Sequence, residues 1–360
     1  MNPPVSIVIP TWNGLGLLER FLPSVISAAQ TYAEEGATSA EVVVVDDGSE
    51  DGTALWLEAQ GFKTSRGPSD GPVALRVVRS EINRGFGETC NRGFESASHG
   101  LVFLLNNDVE VSRDAIRPLV ENFRDPSVFA AHCRVFEFES GRECGTGKMG
   151  GFSRGFIRVH QSFAPVRAAA PGSPPLYSMF AGGGSALFDR GKFLDIGGFE
   201  KLLSPFYWED VELSYRAWKR GFVVLYEPRS VARHRVSSTI RGLKRAKVRR
   251  VEQRNRLIFH WINLHDRRLL SAHILRVLLL ALISPLVRPG FFLSFVDAVR
   301  SMPEIRKRRR AERAAARLTD REVFEWFARM RDRPDVFIYD RVEELREFTG
   351  KRKSEEIRNG

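Results

Sequence analysis

The stretch Leu101-Val-Phe-Leu-Leu-Asn-Asn-Asp-Val-Glu-Val111 decides how the rest of the chain is read. Five apolar residues run into Asn106, Asn107 and Asp108, and apolar residues resume at Val109 and Val111. An unbroken apolar run of this length describes a strand buried on both faces. Polar side chains at its carboxyl end then stand where open α/β sheets bind ligands. A carboxylate beside short amides suits a hard divalent cation, Mg²⁺ or Mn²⁺, bridging to phosphate oxygens. A strand ending in an ordinary Asn/Asp turn fits these residues equally well, so the neighbouring segments must decide.

Working outward, residues 5–10 and 42–45 are β-branched, apolar runs that end in Thr11-Trp-Asn-Gly14 and Asp46-Asp47-Gly48-Ser49. Residues 73–78 supply a further strand, and Asn83-Arg-Gly-Phe-Gly87 a glycine-bearing loop. Helical spacing fills residues 15–33, 53–59 and 88–98 between them. Strands alternating with helices predict an α/β fold with a mostly parallel, doubly wound sheet and helices on both faces. Past Arg113 the pattern loosens into a strand at 128–138, a Pro/Ala/Gly-rich loop at 164–175, a helix at 211–220 and a short strand at 222–225. Residues 145–180 carry no interpretable motif.

Three cysteines, Cys90, Cys133 and Cys144, have neither CxxC spacing nor an even count, which points to a reduced setting and away from a disulfide framework. The strand-like run starting at Val5 leaves no room for a secretory leader. The net charge of +11 is uneven, with basic residues crowding the chain from Arg229 onward. Such a region suits an anionic membrane surface or nucleic acid. The apolar segments 274–287 and 291–296 lie among the basic residues and favour the membrane, with no nucleic-acid partner expected. Pro285 and Arg288-Pro-Gly290 interrupt them, so interfacial or re-entrant helices are predicted rather than a spanning one. A buried helical hairpin in a homo-oligomer is the competing reading. The expected organisation is a catalytic domain at 1–240, a basic and apolar helical region at 241–318 and a charged helical tail at 319–360.

Four constellations carry candidate chemistry. Asp46-Asp47 and Asn107-Asp108 end strands that a doubly wound sheet can set side by side, making one polar crevice. Asn83, Gly85 and Asn91 mark a loop-to-helix junction where backbone can approach phosphate or ribose. Glu209-Asp210 opens a helix beside aromatics, an arrangement that can hold a general base or serve only as helix-terminal charge. His234 follows a strand and is either a metal ligand or a surface residue.

Together these segments resemble the family 2 glycosyltransferases, which have the GT-A fold. The resemblance rests on residues 5–14 and 42–49, the Asn83–Asn91 loop, Asn106-Asn-Asp108, Gly182–Arg190, Gly197-Gly-Phe199, and Glu209-Asp210 with Arg216 and Gly221. It implies that Asp47 recognises the nucleobase, with Thr11, Asn13, Asp46, Asn83, Gly85, Asn91 and Asn107 near the nucleotide-sugar. Asp108 is implied as the metal ligand, and Asn107 stands where many members have a second Asp, which makes His234 more valuable as a further ligand. Asp210, supported by Glu209, is implied as the base in an inverting transfer. The Asn-Asn-Asp form and the apolar basic tail look most like rhamnosyltransferase-type members. They imply a lipid-linked or cell-surface glycan acceptor, dTDP-rhamnose as donor, and a cytoplasmic protein peripheral to the inner face of the cell membrane. A catalytically silent nucleotide-sugar-binding or scaffold subunit is the rival, favoured by Asn107. A nucleotidyltransferase lacks support because Thr11-Trp-Asn-Gly14 has no basic charge.

Overall fold

A computed structural model describes residues 2–64, 72–167, 169–235, 244–341, 343–345 and 347–348. The first half follows the expected alternation. β1 (Val5–Thr11), α1 (Leu15–Gly36), β2 (Ala40–Asp46), α2 (Thr53–Ala59), β3 (Val73–Arg79), α3 (Phe86–Ser96) and β4 (Leu101–Leu105) succeed one another. Every residue of β1, β2 and β4 is buried, as unbroken apolar runs require. Burying each large side chain here contributes roughly 1.5–3 kcal/mol. α1 is made amphipathic by Leu18, Leu22, Val25 and Ala29, which face the sheet.

The sheet is parallel through β3, β2, β1 and β4, as the alternation of strands and helices predicts, and these strands lie in the order β3-β2-β1-β4. Beyond β4 it is mixed, which corrects the expectation of a mostly parallel sheet. β5 (Val109–Val111), α4 (Ile116–Glu121), β6 (Val128–Glu137), β7 (Glu143–Gly145), β8 (Gly147–Ser153), β9 (Phe156–Pro165) and β10 (Ser185–Asp189) come next. β10 runs antiparallel to both β4 and β6. α5 (Arg190–Asp195), α6 (Glu209–Lys219) and β11 (Val223–His234) complete this region. β11 is parallel to β6 with a register shift between Glu227 and Val231, and antiparallel to β5. The strand predicted at 222–225 therefore extends to His234, and the bulge re-aims its second half toward β5.

α7 (Arg245–Asn263), α8 (Arg267–Val287), α9 (Pro289–Arg300) and α10 (Met302–Ala315) pack beside the sheet domain. They share a second apolar cluster built on Leu257, Ile258, Trp261, Val277 and Ala298. α11 (Asp320–Arg331) is tied back by Asp320, whose carboxylate accepts from Lys219 Nζ at 2.8 Å and Tyr215 Oη at 2.7 Å. β12 (Val336–Tyr339) then adds to β9, forming a small sheet in the order β12-β9-β8. Within the tail expected to be helical, residues 336–339 are thus extended and pair with the body of the protein.

α8 corrects another expectation. It runs through Pro285 for 21 residues and is long and apolar enough to cross a membrane by length and composition. A proline there deprives the Ala281 carbonyl of its helical donor, and Ser284 Oγ donates to that oxygen instead, at 3.2 Å. One face of α8 is anchored on the protein through buried His273, Val277, Ala281 and Ser284. On the other, Leu282, Leu286 and Val287 are 76%, 92% and 67% exposed.

Candidate active site

The carboxyl ends of β1, β2 and β4 converge, with Thr11 in register with Asp46. Asp46 is fully buried and shapes its own turn. Its Oδ1 accepts from Ser49 N at 3.0 Å, and its Oδ2 lies 3.5 Å from Arg79 Nε. Asp47 reaches the loop before α3, accepting from Arg84 N at 3.0 Å and Gly85 N at 2.9 Å. That loop passes so close to Gly48 that a Cβ there would lie 3.0 Å from the Ile82 carbonyl carbon, and Gly48 has φ +76°. Only glycine fits both demands. Asn83 sits exposed at this turn.

Thr11 Oγ1 accepts from Asn107 Nδ2 at 2.8 Å, joining the ends of β1 and β4. Asn13 locks its turn to the 48–51 loop, donating from its N to Ser49 Oγ and accepting from Glu50 N at Oδ1, both at 2.8 Å. The Asn91 side chain donates to Phe199 O at 3.0 Å and accepts from Phe199 N at 2.8 Å. That engagement makes the amide a brace for the Gly197-Gly198 turn. Arg216 braces the same turn from the other side, donating to Ile196 O and Gly198 O, both at 2.5 Å.

Asp108 and His234, far apart in sequence, meet where β5 pairs with β11. His234 Nε2 is 3.0 Å from Asp108 Oδ1, and Arg235 N donates to Asp108 O at 3.0 Å. Among the described residues no third His, Cys, Asp or Glu joins them in a metal-type cluster. One buried carboxylate and one imidazole fit a divalent cation that takes its remaining ligands from a diphosphate and water. The mixed oxygen and nitrogen donors suit Mn²⁺ better than Mg²⁺.

Glu209 and Asp210 open α6. The two residues before them, Tyr207 and Trp208, have φ of 71° and 76°. Two consecutive non-glycine residues in the left-handed region cost about 1–3 kcal/mol each and persist only where the surroundings hold them. Asn255, fully buried on α7, supplies that hold, donating from Nδ2 to Leu203 O at 2.5 Å, Phe206 O at 2.9 Å and Tyr207 O at 3.0 Å. Sequence reading missed Asn255 because α7 reads only as a basic helix, and no local pattern marks a residue that braces a distant loop.

Glu209 and Asp210 are half-buried, with the Glu209 Oε2 atom inaccessible to solvent. Burial, and then the neighbouring Asp210, push the Glu209 carboxyl up to about 8, and its Oε2 makes no hydrogen bond among the described residues. Burial also raises Asp210, opposed by hydrogen bonds from the backbone of Val211 and Gly183. Val211 N donates to Asp210 Oδ1 at 2.7 Å. The next glycine links this region to β4, because Asn106 N donates to Gly184 O at 3.0 Å. A Cβ on Gly184 would overlap the Asn106 amide at 2.4 Å. The glycine run at 182–184 thus lets the acid pair stand close to the strand end that leads into Asp108.

The family model for glycosyl transferase family 2 matches residues 6–192, more than half of the chain. The chain belongs to glycosyl transferase family 2. The family 2 match contains Asp47, Asn107 and Asp108 and ends before Glu209-Asp210 and His234. The poly-beta-1,6-N-acetyl-D-glucosamine synthase of Staphylococcus epidermidis is 24% identical over 260 residues, covering 68% of this chain and 53% of that protein. The dolichol-phosphate mannosyltransferase of Pyrococcus furiosus is 30% identical over 130 residues, 36% of this chain and 33% of that protein. The chain spans about half the length, or less, of such curated relatives. Among solved structures, GalNAc-T7 with UDP, GalNAc and Mn²⁺ superposes with a TM-score of 0.56 at 17% identity, over 91% of this chain and 56% of that one. S. aureus TarS 1–349 gives 0.51 at 15% identity, over 91% of this chain and 90% of that one. These structures share the GT-A type of fold, and this chain carries a C-terminal helical region.

Proposed function

We propose that this family 2 member transfers a sugar from a nucleoside-diphosphate sugar to a hydroxyl of a cell-surface glycan or lipid-linked acceptor, inverting the anomeric carbon. The observation that carries this reading is the half-buried Asp210 carboxyl, held by the Gly183 backbone beside the strand end that leads to Asp108 and His234. Asp47 and Thr11 would meet the nucleoside, with Asn83, Gly85 and Asn107 beside it, while Asp46 and Asn13 keep the two loops in place. Asp210 would take the proton of the acceptor hydroxyl as it attacks from the face opposite the leaving diphosphate. Glu209 keeps a proton nearby and limits the charge on the pair. When bound at Asp108 and His234, a divalent cation supplies a Lewis acid for the charge growing on the diphosphate.

The test is donor hydrolysis across dTDP-rhamnose, UDP-GlcNAc and GDP-mannose, with Mg²⁺, Mn²⁺ or EDTA. Metal-dependent release of one nucleoside diphosphate, abolished in Asp108→Ala, is the expected result. Calorimetric binding of a donor with no turnover, even when a lipid acceptor is supplied, would favour the silent scaffold reading.

The exposed apolar face of α8 supports action at an anionic membrane surface, on its cytoplasmic side. Basic residues flank it at Arg267, Arg268 and Arg288, and continue at 306–310 on α10. The helix is anchored by one face and apolar on the other, the geometry of an interfacial helix. Co-sedimentation with anionic liposomes at low salt, lost in Leu286→Asp, is the expected result; a concentration-dependent dimer that ignores liposomes would replace this reading.

A further inference from the structure

Core packing explains one half of the Tyr207-Trp208 turn and not the other. Both residues hold the left-handed backbone that favours glycine, with φ of 71° and 76°. The Trp208 ring packs against both apolar clusters, that of the sheet domain and that of the C-terminal helices. Tyr207 belongs to neither and stands 37% exposed, its ring meeting that of Phe206 edge-on with centroids 5.3 Å apart. Yet the buried Asn255 amide holds the Tyr207 carbonyl at 3.0 Å. On one side this turn abuts the loop held by Asp47, because a Cβ on Gly85 would lie 3.1 Å from Ser204 Oγ and 3.7 Å from the Pro205 Cα. On the other side the acid pair begins. Burial, and then the charges of Glu252 on α7 and of Glu209, raise the Tyr207 hydroxyl, so the phenol lies within electrostatic reach of both carboxylates.

An aromatic ring held out beside carboxylates has the chemistry of a sugar platform. A pyranose presents C–H groups on one face, which lie flat against such a ring, and hydroxyls around its edge, which donate to carboxylates. The charges that reach the Tyr207 hydroxyl are both negative, which disfavours an anionic group there. A bulky residue kept in the left-handed region, where glycine is the easy choice, fits a ring that is needed for its exposed face. Tyr207 stands two residues before Glu209, on the turn that opens α6. A ligand on that ring therefore meets the residue that takes the acceptor's proton, whereas the nucleoside belongs to the strand ends of Thr11 and Asp47.

We propose that Tyr207 is an acceptor-binding residue, whose ring stacks on a pyranose of the acceptor while a hydroxyl of that pyranose faces Asp210. The inference rests on the reading of Asp210 as the base, and it narrows the acceptor. Free or lipid-linked, it presents a sugar ring at the point of attack and not the head of its carrier. It also accounts for a fully buried amide, Asn255, being committed to an exposed turn.

Saturation-transfer NMR on the full chain tests this without turnover, because it reports which protons of a small sugar lie against the protein. The probes are the methyl pyranosides of glucose, rhamnose and N-acetylglucosamine, with glycerol as a ringless control. Saturable contact through the C–H protons of one ring face is expected for at least one pyranoside, and none for glycerol, in wild type and in Asp210→Asn. Tyr207→Phe should keep this contact within about twofold, and Tyr207→Gly should weaken it about tenfold. Glycine adopts the backbone of this turn without strain, so Tyr207→Gly keeps the fold, with a melting temperature at or above that of wild type. Calorimetric affinity for dTDP-rhamnose, UDP-GlcNAc and GDP-mannose should stay within about twofold in both Tyr207 variants. Absence of saturable contact with every pyranoside, or contact unchanged in Tyr207→Gly, would overturn the proposal. So would a tenfold loss of nucleotide-sugar affinity in Tyr207→Gly, which would assign the ring to the donor. Turnover retained in Asp210→Asn would remove the base reading alone, since the sugar contact is measured independently of it.

Discussion

The two sides of the cleft are built on opposite terms. On the strand-end side, Asp46, Asp47, Asn13 and Asn107 already hold hydrogen bonds to the loops they organise. On the side formed by α6, α7 and β9, Glu209 Oε2 and the Nε atoms of Arg158 and Arg256 are buried and without partners among the described residues. The first side is preorganised by its own backbone and needs no ligand to keep its shape. The second holds buried polar atoms without partners and the Tyr207-Trp208 pair in the left-handed region, braced by Asn255. One site is shaped to receive and the other is poised to react.

The sharpest way to break this comparison is Asp210→Asn. Loss of the base should lower turnover by about 10²–10⁴-fold while nucleoside-diphosphate binding, measured by calorimetry, stays unchanged. A matching loss of binding would show that the two sides are not separate.

Next in size is Asp47→Ala, which leaves the partly buried amides of Arg84 and Gly85 without their acceptor. Each orphaned group costs about 1–3 kcal/mol, so denaturant unfolding should show lower stability and calorimetry weaker nucleotide binding together. Asn255→Ala tests the other side. Releasing Tyr207 and Trp208 should lower kcat by about tenfold with donor KM little changed; a change in KM alone would assign Asn255 to the donor site.

The smallest effect concerns pH. Burial raises the Glu209 carboxyl from its ordinary 4.5 to about 8 in the fold. A group that binds its proton more tightly when folded contributes stability that is fully present below the unfolded value and is lost as pH rises through the folded one. Glu209→Gln has no such loss. The melting-temperature difference between Glu209→Gln and wild type should therefore grow in favour of the variant as pH rises from about 5 to about 8. A flat difference would place the unpaired proton elsewhere.

Much of the fold was legible because β1, β2 and β4 are apolar runs closed by turn residues, and a strand buried on both faces writes itself as such a run. The antiparallel insertion of β10 between β4 and β6 was not, since pairing partners leave no trace in the local pattern. The β8–β9 hairpin stayed silent for a related reason. Its Gly147, Gly150 and Gly151 lie where a Cβ would strike Phe163, Met179 and His160, so close packing replaced the alternation that announces a strand. Pro285 misled in the opposite sense, because Ser284 supplies the donor that the proline lacks.

By itself, the sequence determined the parallel half of the sheet, the family, and the types of residue that gather at its strand ends, because those depend on short-range pattern and on groups that protein interiors reject unless they serve a purpose. Only the tertiary structure decided which of them meet. Packing brings Asp108 within 3.0 Å of His234 and turns Asn91 toward Phe199. It also sets Asn255 beneath Tyr207 and the Arg256 guanidinium over Trp208. Contacts between residues far apart along the chain are fixed by how the layers close, and no short window of sequence contains them.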